Sequence, residues 1–169
     1  MTSLADGGTF TDAANSLSIV QNSHSASGVT FTVQVSAAPK GADLLETAVG
    51  KPPTLALPGT SFSATDTVKN QGAAAAGASL TRYYLSAGQQ KTAGAVLLGG
   101  GRSVPSLAAG QVSSGSASVT IPSSMPLGTY YLLACADDLN AVAETKETNN
   151  CLAAAGRVKV TRSASWNQR

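Results

Sequence analysis

The residues most able to do chemistry lie in one stretch, CADDLNAVAETKETNNC, running from Cys135 to Cys151. It holds both cysteines of the chain and four of its nine acidic residues. Two thiols and several carboxylates admit a soft-metal site, a hard-cation site or a disulfide. Zinc needs three or four nitrogen or sulfur ligands, and the chain adds only one histidine, His24, to its two cysteines. A hard cation such as Ca²⁺ takes oxygen ligands, and Asp137, Asp138, Asn140, Glu144 and Glu147 are the candidate calcium ligands, with Asn149 and Asn150 nearby. Their spacing departs from the D-x-[DN]-x-[DN]-G loop, because position 142 is Val and the turn glycine is missing. In the competing and preferred reading, Asp and Asn make turns through side-chain-to-backbone bonds while Glu and Lys solvate the tip.

The cysteines themselves read as the ends of two paired strands. In an antiparallel hairpin, opposed residues keep a constant sum of residue numbers. Pairing Cys135 with Cys151 therefore sets Leu133 against Ala153 and Tyr131 against Ala155. Opposed residues at a non-hydrogen-bonded site bring their Cβ atoms close enough for a disulfide. Closing a loop of ~15 residues contributes ~3 kcal/mol in the chain-entropy account, and a disulfide implies an oxidising compartment.

Other reactive-looking residues do not assemble into a catalytic set. His24 sits in QNSHSASG, read as a solvated turn, and its serine neighbours would point to opposite faces of a strand, so no triad forms. Glu144 and Glu147 imitate a glycosidase pair, without an aromatic cleft around them. LLGGGRS has the glycine content of a phosphate loop but neither its lysine nor a following helix, and reads as a flexible turn. Tyr83–Tyr84 and Tyr130–Tyr131 are adjacent pairs, so each pair sends one ring to either face of its strand. No catalytic residue and no cofactor is expected, calcium excepted.

The elements that would carry these residues are strands. VTFTVQV, Val29 to Val35, places Val29, Phe31, Val33 and Val35 on one face, which predicts a half-buried strand. GGTFTD and LSIVQ precede it as two shorter strands. Residues 1–38 form this N-terminal segment, read as the tail of something larger or as an assembly arm, because roughly 35 residues seldom build a core alone. SAAPKGA follows as a linker. From 43 to 162 come ADLLETA, PTLAL, SFSATDTV, SLTRYYLS, AVLLGG, SGSASVTI, GTYYLLACA and CLAAAGRVKV, punctuated by LPG, NQG, LGGG and MPLG. QGAAAAGA is short and bracketed by glycines, so it reads as a loop despite the helix propensity of alanine. The spacing predicts an all-β antiparallel sandwich of about seven strands, with the N-terminal β-strand extension before it. Residues 163–169 make a polar tail containing Trp166.

Composition agrees and narrows the partners. Charged residues are 12% and aromatics 5% of the 169 residues, so Ser, Thr, Gly and Asn solvate a surface that in other proteins carries twice the charge. A net charge of +2 with scattered basic residues argues against nucleic-acid binding. No stretch approaches the ~20 apolar residues of a membrane span. MTSLADGG lacks the basic and apolar regions of a signal peptide. The secretion signal is therefore expected to have been removed, or the chain to be cut from a larger protein.

The ordered set VKNQG, YYLS, GTYYL and ADDLN-VAE-ETNN resembles the CARDB domain, the cell-adhesion-related domain found in bacteria, over roughly Asp43 to Thr161. The resemblance implies an immunoglobulin-like sandwich and a non-catalytic extracellular module of secreted or surface-attached proteins, whose partners are other protein domains or surface and matrix components. The N-terminal GGTFTDAANSLSIVQNSHSASGVTFTVQV more weakly resembles the β-rich end of gametolysin-like secreted metallopeptidases, without an HExxH motif. In an immunoglobulin topology the Cys135–Cys151 staple joins neighbouring strands rather than facing sheets. Asp66 and Arg82, each in an apolar register, would then meet across the sandwich. Three roles follow as expectations. The first is an adhesive, spacer or assembly module; the second is a subunit that self-associates through strand edges; the third is an accessory fragment of a secreted metallopeptidase.

Overall fold

The computed structural model describes residues 5–12, 17–35 and 41–162, and every regular element among them is a strand. The chain divides into two compact units, Met1–Lys40 and Gly41–Arg169. Residues 36–40 of the SAAPKGA linker and the Trp166 tail lie outside the described residues; the linker's last residue, Ala42, is buried in the second unit's core.

The first unit is a three-stranded antiparallel sheet of β1 (Thr9–Asp12), β2 (Leu17–Ser25) and β3 (Gly28–Val35), in the order β1-β2-β3. The expected alternation is present but the expected burial is not. Val29, Phe31, Val33 and Val35 are 51–74% exposed, because the described residues of this unit form a single layer. His24 is also placed differently from the sequence reading. It is the penultimate residue of strand β2, opposite Val29, instead of sitting in a turn, and its Nδ1 is 2.7 Å from Asp6 Oδ1.

The second unit is a two-layer sandwich. One sheet runs β10 (Val112–Thr120), β6 (Ser61–Asn70), β4 (Leu44–Val49). The other runs β5 (Leu55–Ala56), β12 (Cys151–Val160), β11 (Gly128–Cys135), β7 (Ser79–Ser86), β8 (Val96–Leu97), with β9 (Arg102–Val104) also pairing β7. Six long strands and three short pieces thus replace the count of about seven. PTLAL shrinks to β5, which pairs parallel with β12 in an otherwise antiparallel sheet. QGAAAAGA is a loop that contributes one isolated bridge, Ala76 to Leu107.

Alternation decides which side chains meet between the layers. Ala64 of β6, Tyr83 and Leu85 of β7, Val119 of β10, Leu132 and Ala134 of β11, and Val158 of β12 are all buried in the main core. Burying side chains of this size is worth ~1.5–3 kcal/mol each for the larger ones. A second cluster around Leu44, Val68, Val104 and Leu107 closes one end. LLGGGRS is an ordered crossing between β8 and β9 rather than a flexible turn. Gly100 adopts φ 89°, and a Cβ there would stand 2.4 Å from the Ser118 carbonyl oxygen, so only glycine lets this segment lie against β10.

Candidate functional site

The β11–β12 hairpin carries the stretch from Cys135 to Cys151 at its tip. Cys135 lies opposite Cys151 and Leu133 opposite Ala153, and the two cysteines are joined by a disulfide with a Cα–Cα distance of 4.0 Å. The register then shifts between Tyr131 and Leu133, so Tyr131 faces Arg157 and not Ala155. A bulge inserts a residue into one strand, which constant-sum counting cannot anticipate.

Between the cysteines, each acidic residue is already engaged within the fold. Asp137, fully buried at φ 43°, accepts the Ala141 and Val142 backbone N–H groups at 3.1 and 2.7 Å. Glu144 accepts the Leu44 N–H at 2.7 Å and the Asn150 amide at 3.1 Å, tying the tip to the start of β4. Burial pushes the Glu144 carboxyl up to about 7, against the lowering effect of the Leu44 bond and with help from the Glu147 charge. Glu147 accepts the Glu144 N–H at 3.0 Å. Asn140 is exposed at φ 50° and closes a turn onto the Asp137 carbonyl at 2.8 Å.

Asp138 departs from this backbone-capping pattern. Its carboxylate is held by Tyr84 Oη at 2.6 Å and by Lys91, and Arg82 Nε lies 2.9 Å away. That Arg82 nitrogen is off the line of a hydrogen bond, so its contribution is that of an ion pair. Burial lowers the affinity of Lys91 for its proton, yet the Asp138 and Tyr84 contacts leave its pKa raised on balance. The five sequence-nominated ligands are therefore dispersed among different partners. No group of three or more His, Cys, Asp or Glu side chains able to hold a metal ion forms among the described residues.

The expected Asp66–Arg82 pair does not form. Leu80, Arg82 and Tyr84 do share one face of β7, but it is the outer face. The inner face presents Thr81, Tyr83 and Leu85, because β7 is apolar on both sides. Asp66 instead meets Arg102 of the short strand β9, whose Nε lies 2.8 and 3.0 Å from its two oxygens and whose Nη2 contacts Oδ2. Arg102 also donates to Ser113 Oγ at 3.0 Å and its carbonyl at 3.2 Å. Gly115 makes room for it, since a Cβ there would sit 2.8 Å from Arg102 Cδ. The single sequence signal for this partner was the Arg at the end of the triple glycine, which the flexible-turn reading passed over.

Tyr83 and Glu46 complete this interior network. Tyr83 donates to Asp66 Oδ1 at 2.5 Å, and burial followed by that bond raises its pKa. Glu46, only 3% exposed, accepts from Thr81 Oγ1 at 3.0 Å. Its other oxygen, Oε2, is buried without a partner. Burial, then the Asp66 charge beside it, pushes Glu46 up to about 8, so it is a neutral acid at neutral pH. A buried carboxyl with a displaced pKa is a catalytic signature where substrate can reach it. Here Glu46 and its neighbour Asp66 are both buried between the layers, and the arrangement pins two sheets together.

Geometry of this kind defines an immunoglobulin-like β-sandwich module, stapled at one hairpin and cross-linked inside by a buried ion pair. The CARDB family matches residues 41–154, about two thirds of the chain, and the protein belongs to that family. Similar solved structures include the CARDB domain of a Pyrococcus furiosus protein in complex with di-metal ions, at 22% identity, covering 72% of this chain and 90% of that one, with a TM-score of 0.48. A domain of a Methanosarcina acetivorans protein assigned to the cell surface is 22% identical, covers 71% and 92% of the two chains, and has a TM-score of 0.47. A β-glucosidase from Listeria innocua shares 16% identity over 70% of this chain and 16% of its own, at a TM-score of 0.42. No curated protein matches the chain. No helix among the described residues is long and apolar enough to cross a membrane.

Proposed function

We propose that the chain works outside the cell as a non-catalytic adhesive or spacer module of a secreted or surface-attached protein. The observation that carries this reading is the CARDB match over residues 41–154. The engagement of the reactive-looking acids supports it, since Asp137, Glu144 and Glu147 hold backbone N–H groups of the tip and its neighbour β4. Such a tip serves as a rigid end to the hairpin. The Cys135–Cys151 disulfide fits an oxidising compartment. The family match does not extend to the N-terminal unit, which leaves the metallopeptidase likeness without added support.

The test uses the purified chain against intact bacterial cells and immobilised matrix proteins. Saturable binding that survives 0.5 M salt identifies an adhesive module; a folded chain that binds none of them identifies a spacer. Turnover of any peptide, ester or glycoside substrate, lost on a single substitution at Glu144 or Glu147, would overturn the reading.

A further inference from the structure

The N-terminal sheet has one apolar face, and nothing among the unit's described residues covers it. Register places Phe10 opposite Ile19 and Ile19 opposite Val33, Leu17 opposite Val35, and Gln21 opposite Phe31. Opposed residues share a face, so these six apolar side chains lie together, with Val29 at the end beside His24. The other face carries Thr9, Thr11, Ser18, Asn22, Thr30, Thr32 and Gln34, with Val20 as its single apolar residue among those described. Phe10, Phe31, Val33 and Val35 are 50%, 51%, 59% and 74% exposed, and Phe10, Ile19, Phe31 and Val33 frame an open concavity of about 350 Å³. Gln21 is the one buried residue described in the unit. The sheet is therefore half of a sandwich.

We infer that the second half is the same sheet of a second copy, packed apolar face on apolar face. Three observations select this occupant. The centre of the face is uncharged among the described side chains; the titratable pair described there, Asp6 with His24, lies at its margin. No charge in the middle discriminates against an identical surface, and an isologous pair is the commonest closed assembly. Two sheets packed ~10 Å apart reproduce the two-layer arrangement that the fold uses elsewhere. The exposed apolar side chains offer on the order of 500 Å² per copy, so a pair buries ~1,000 Å², at the threshold of a specific but weak interface. The dimer is accordingly reversible, with a dissociation constant in the micromolar range. This inference stands apart from the adhesive or spacer reading, because it rests on the N-terminal sheet alone.

Sedimentation equilibrium of the full chain from about 1 to 200 μM tests it, and a monomer–dimer equilibrium is expected across that range. Val33→Lys should weaken association at least tenfold, while Gln34→Lys on the opposite face should leave it unchanged. Should Val33→Lys unfold the unit, crosslinking keeps the inference testable. Val33→Cys treated with a bismaleimide of ~10 Å reach, the spacing of packed sheets, should give covalent dimer, and Gln34→Cys should not. A monomer throughout the range overturns the inference. So does a dimer that tolerates Val33→Lys, which would signify pairing through the β3 backbone edge, or equal crosslinking at both positions.

Discussion

Two three-stranded antiparallel sheets in this molecule are written in nearly the same pattern and end in opposite environments. In VTFTVQV of β3, Val29, Phe31, Val33 and Val35 stand at every second position and are 51–74% exposed. In SFSATDTV of β6, Ala64, Asp66 and Val68 stand at every second position and are 0–3% exposed. Alternation fixes which face would be buried; a facing layer decides whether it is. β6 has that layer in β7, β11 and β12. The covered sheet, moreover, tolerates a charge where the bare one has valine, because the opposite layer supplies Arg102. Burial in a sandwich is thus a property of pairs of sheets, and a single strand reports only half of it.

The largest expected effect breaks the covered sheet from inside. Asp66→Asn leaves the Arg102 guanidinium buried without its counter-charge, and removing one partner of a buried pair costs ~3–5 kcal/mol. Urea unfolding should show that loss at unchanged m-value. Replacing Asp66 and Arg102 together with Leu and Met should recover most of it, since a buried pair is often no better than apolar residues of similar size. A single substitution costing under ~1 kcal/mol would mean that water already reaches the pair, and the contrast with β3 would lose its sharpest element.

The interior network also has a pH signature. The Glu46 carboxyl titrates near 4.5 when free and near 8 in the fold. Between those values the folded chain holds a proton that the unfolded chain has released. Stability therefore falls as pH rises from about 5 to about 8, by up to ~1.4 kcal/mol per pH unit and a few kcal/mol in all. Below that window both states are protonated, and above it neither is, so this group adds no slope there. Glu144, pushed up to about 7, adds a slope of the same sign that ends earlier. Glu46→Gln should flatten most of the decline in urea midpoint across this window and leave the chain more stable than wild type at pH 8.

These features differ in how far the sequence disclosed them. The strands were legible because Ser/Thr alternation with Val, Leu and Tyr is local, and SLTRYYLS maps onto β7 from end to end. Cys135 and Cys151 were legible as partners because both ends of one hairpin lie within seventeen residues. Tyr131 was mispaired because a bulge beyond Leu133 shifts the register, and nothing in YYLLAC marks it. Arg82 is the wrong expectation for Asp66 because β7 carries apolar residues at both parities, and its sequence does not mark which side looks inward. Arg102 was hidden by a three-residue strand behind GGG, too short to show any period. The acidic tip was legible as turns, while the particular N–H groups that fill each carboxylate belong to tertiary structure, the Leu44 amide most of all.

A matched pair of substitutions puts the two sheets on one scale. Val68→Ala in the covered sheet removes two buried methyl groups and leaves a cavity, which should cost about 2 kcal/mol. Val33→Ala in the bare sheet, measured below 1 μM where the chain is monomeric, should change the urea midpoint by no more than the equivalent of ~0.5 kcal/mol. Repeating both at 200 μM sharpens the contrast: the Val68 cost should stay fixed while the Val33 cost grows, because association buries that face. Equal costs at low concentration would mean that the β3 face is covered within the monomer.

The smallest expected effect guards against the opposite error, that of supplying a partner to groups that already have one. β3 offers an apolar face that no described residue of its own unit covers; the acidic tip offers carboxylates whose oxygens are taken by the Ala141, Val142, Leu44 and Glu144 N–H groups and the Asn150 amide. A calcium ion would have to displace those donors, leaving buried N–H groups unpaired at ~1–3 kcal/mol each. Two such losses would weaken a site of ordinary extracellular affinity to a dissociation constant of ~10 mM or more. One millimolar Ca²⁺ would then stabilise the fold by under about 0.1 kcal/mol, which moves a melting midpoint by less than ~1 °C. Calorimetry with and without calcium should show that indifference. A saturable rise of several degrees, abolished by Glu144→Gln, would mean that the tip opens its hydrogen bonds to admit the ion, and that a filled carboxylate is no safer a guide to function than a bare valine.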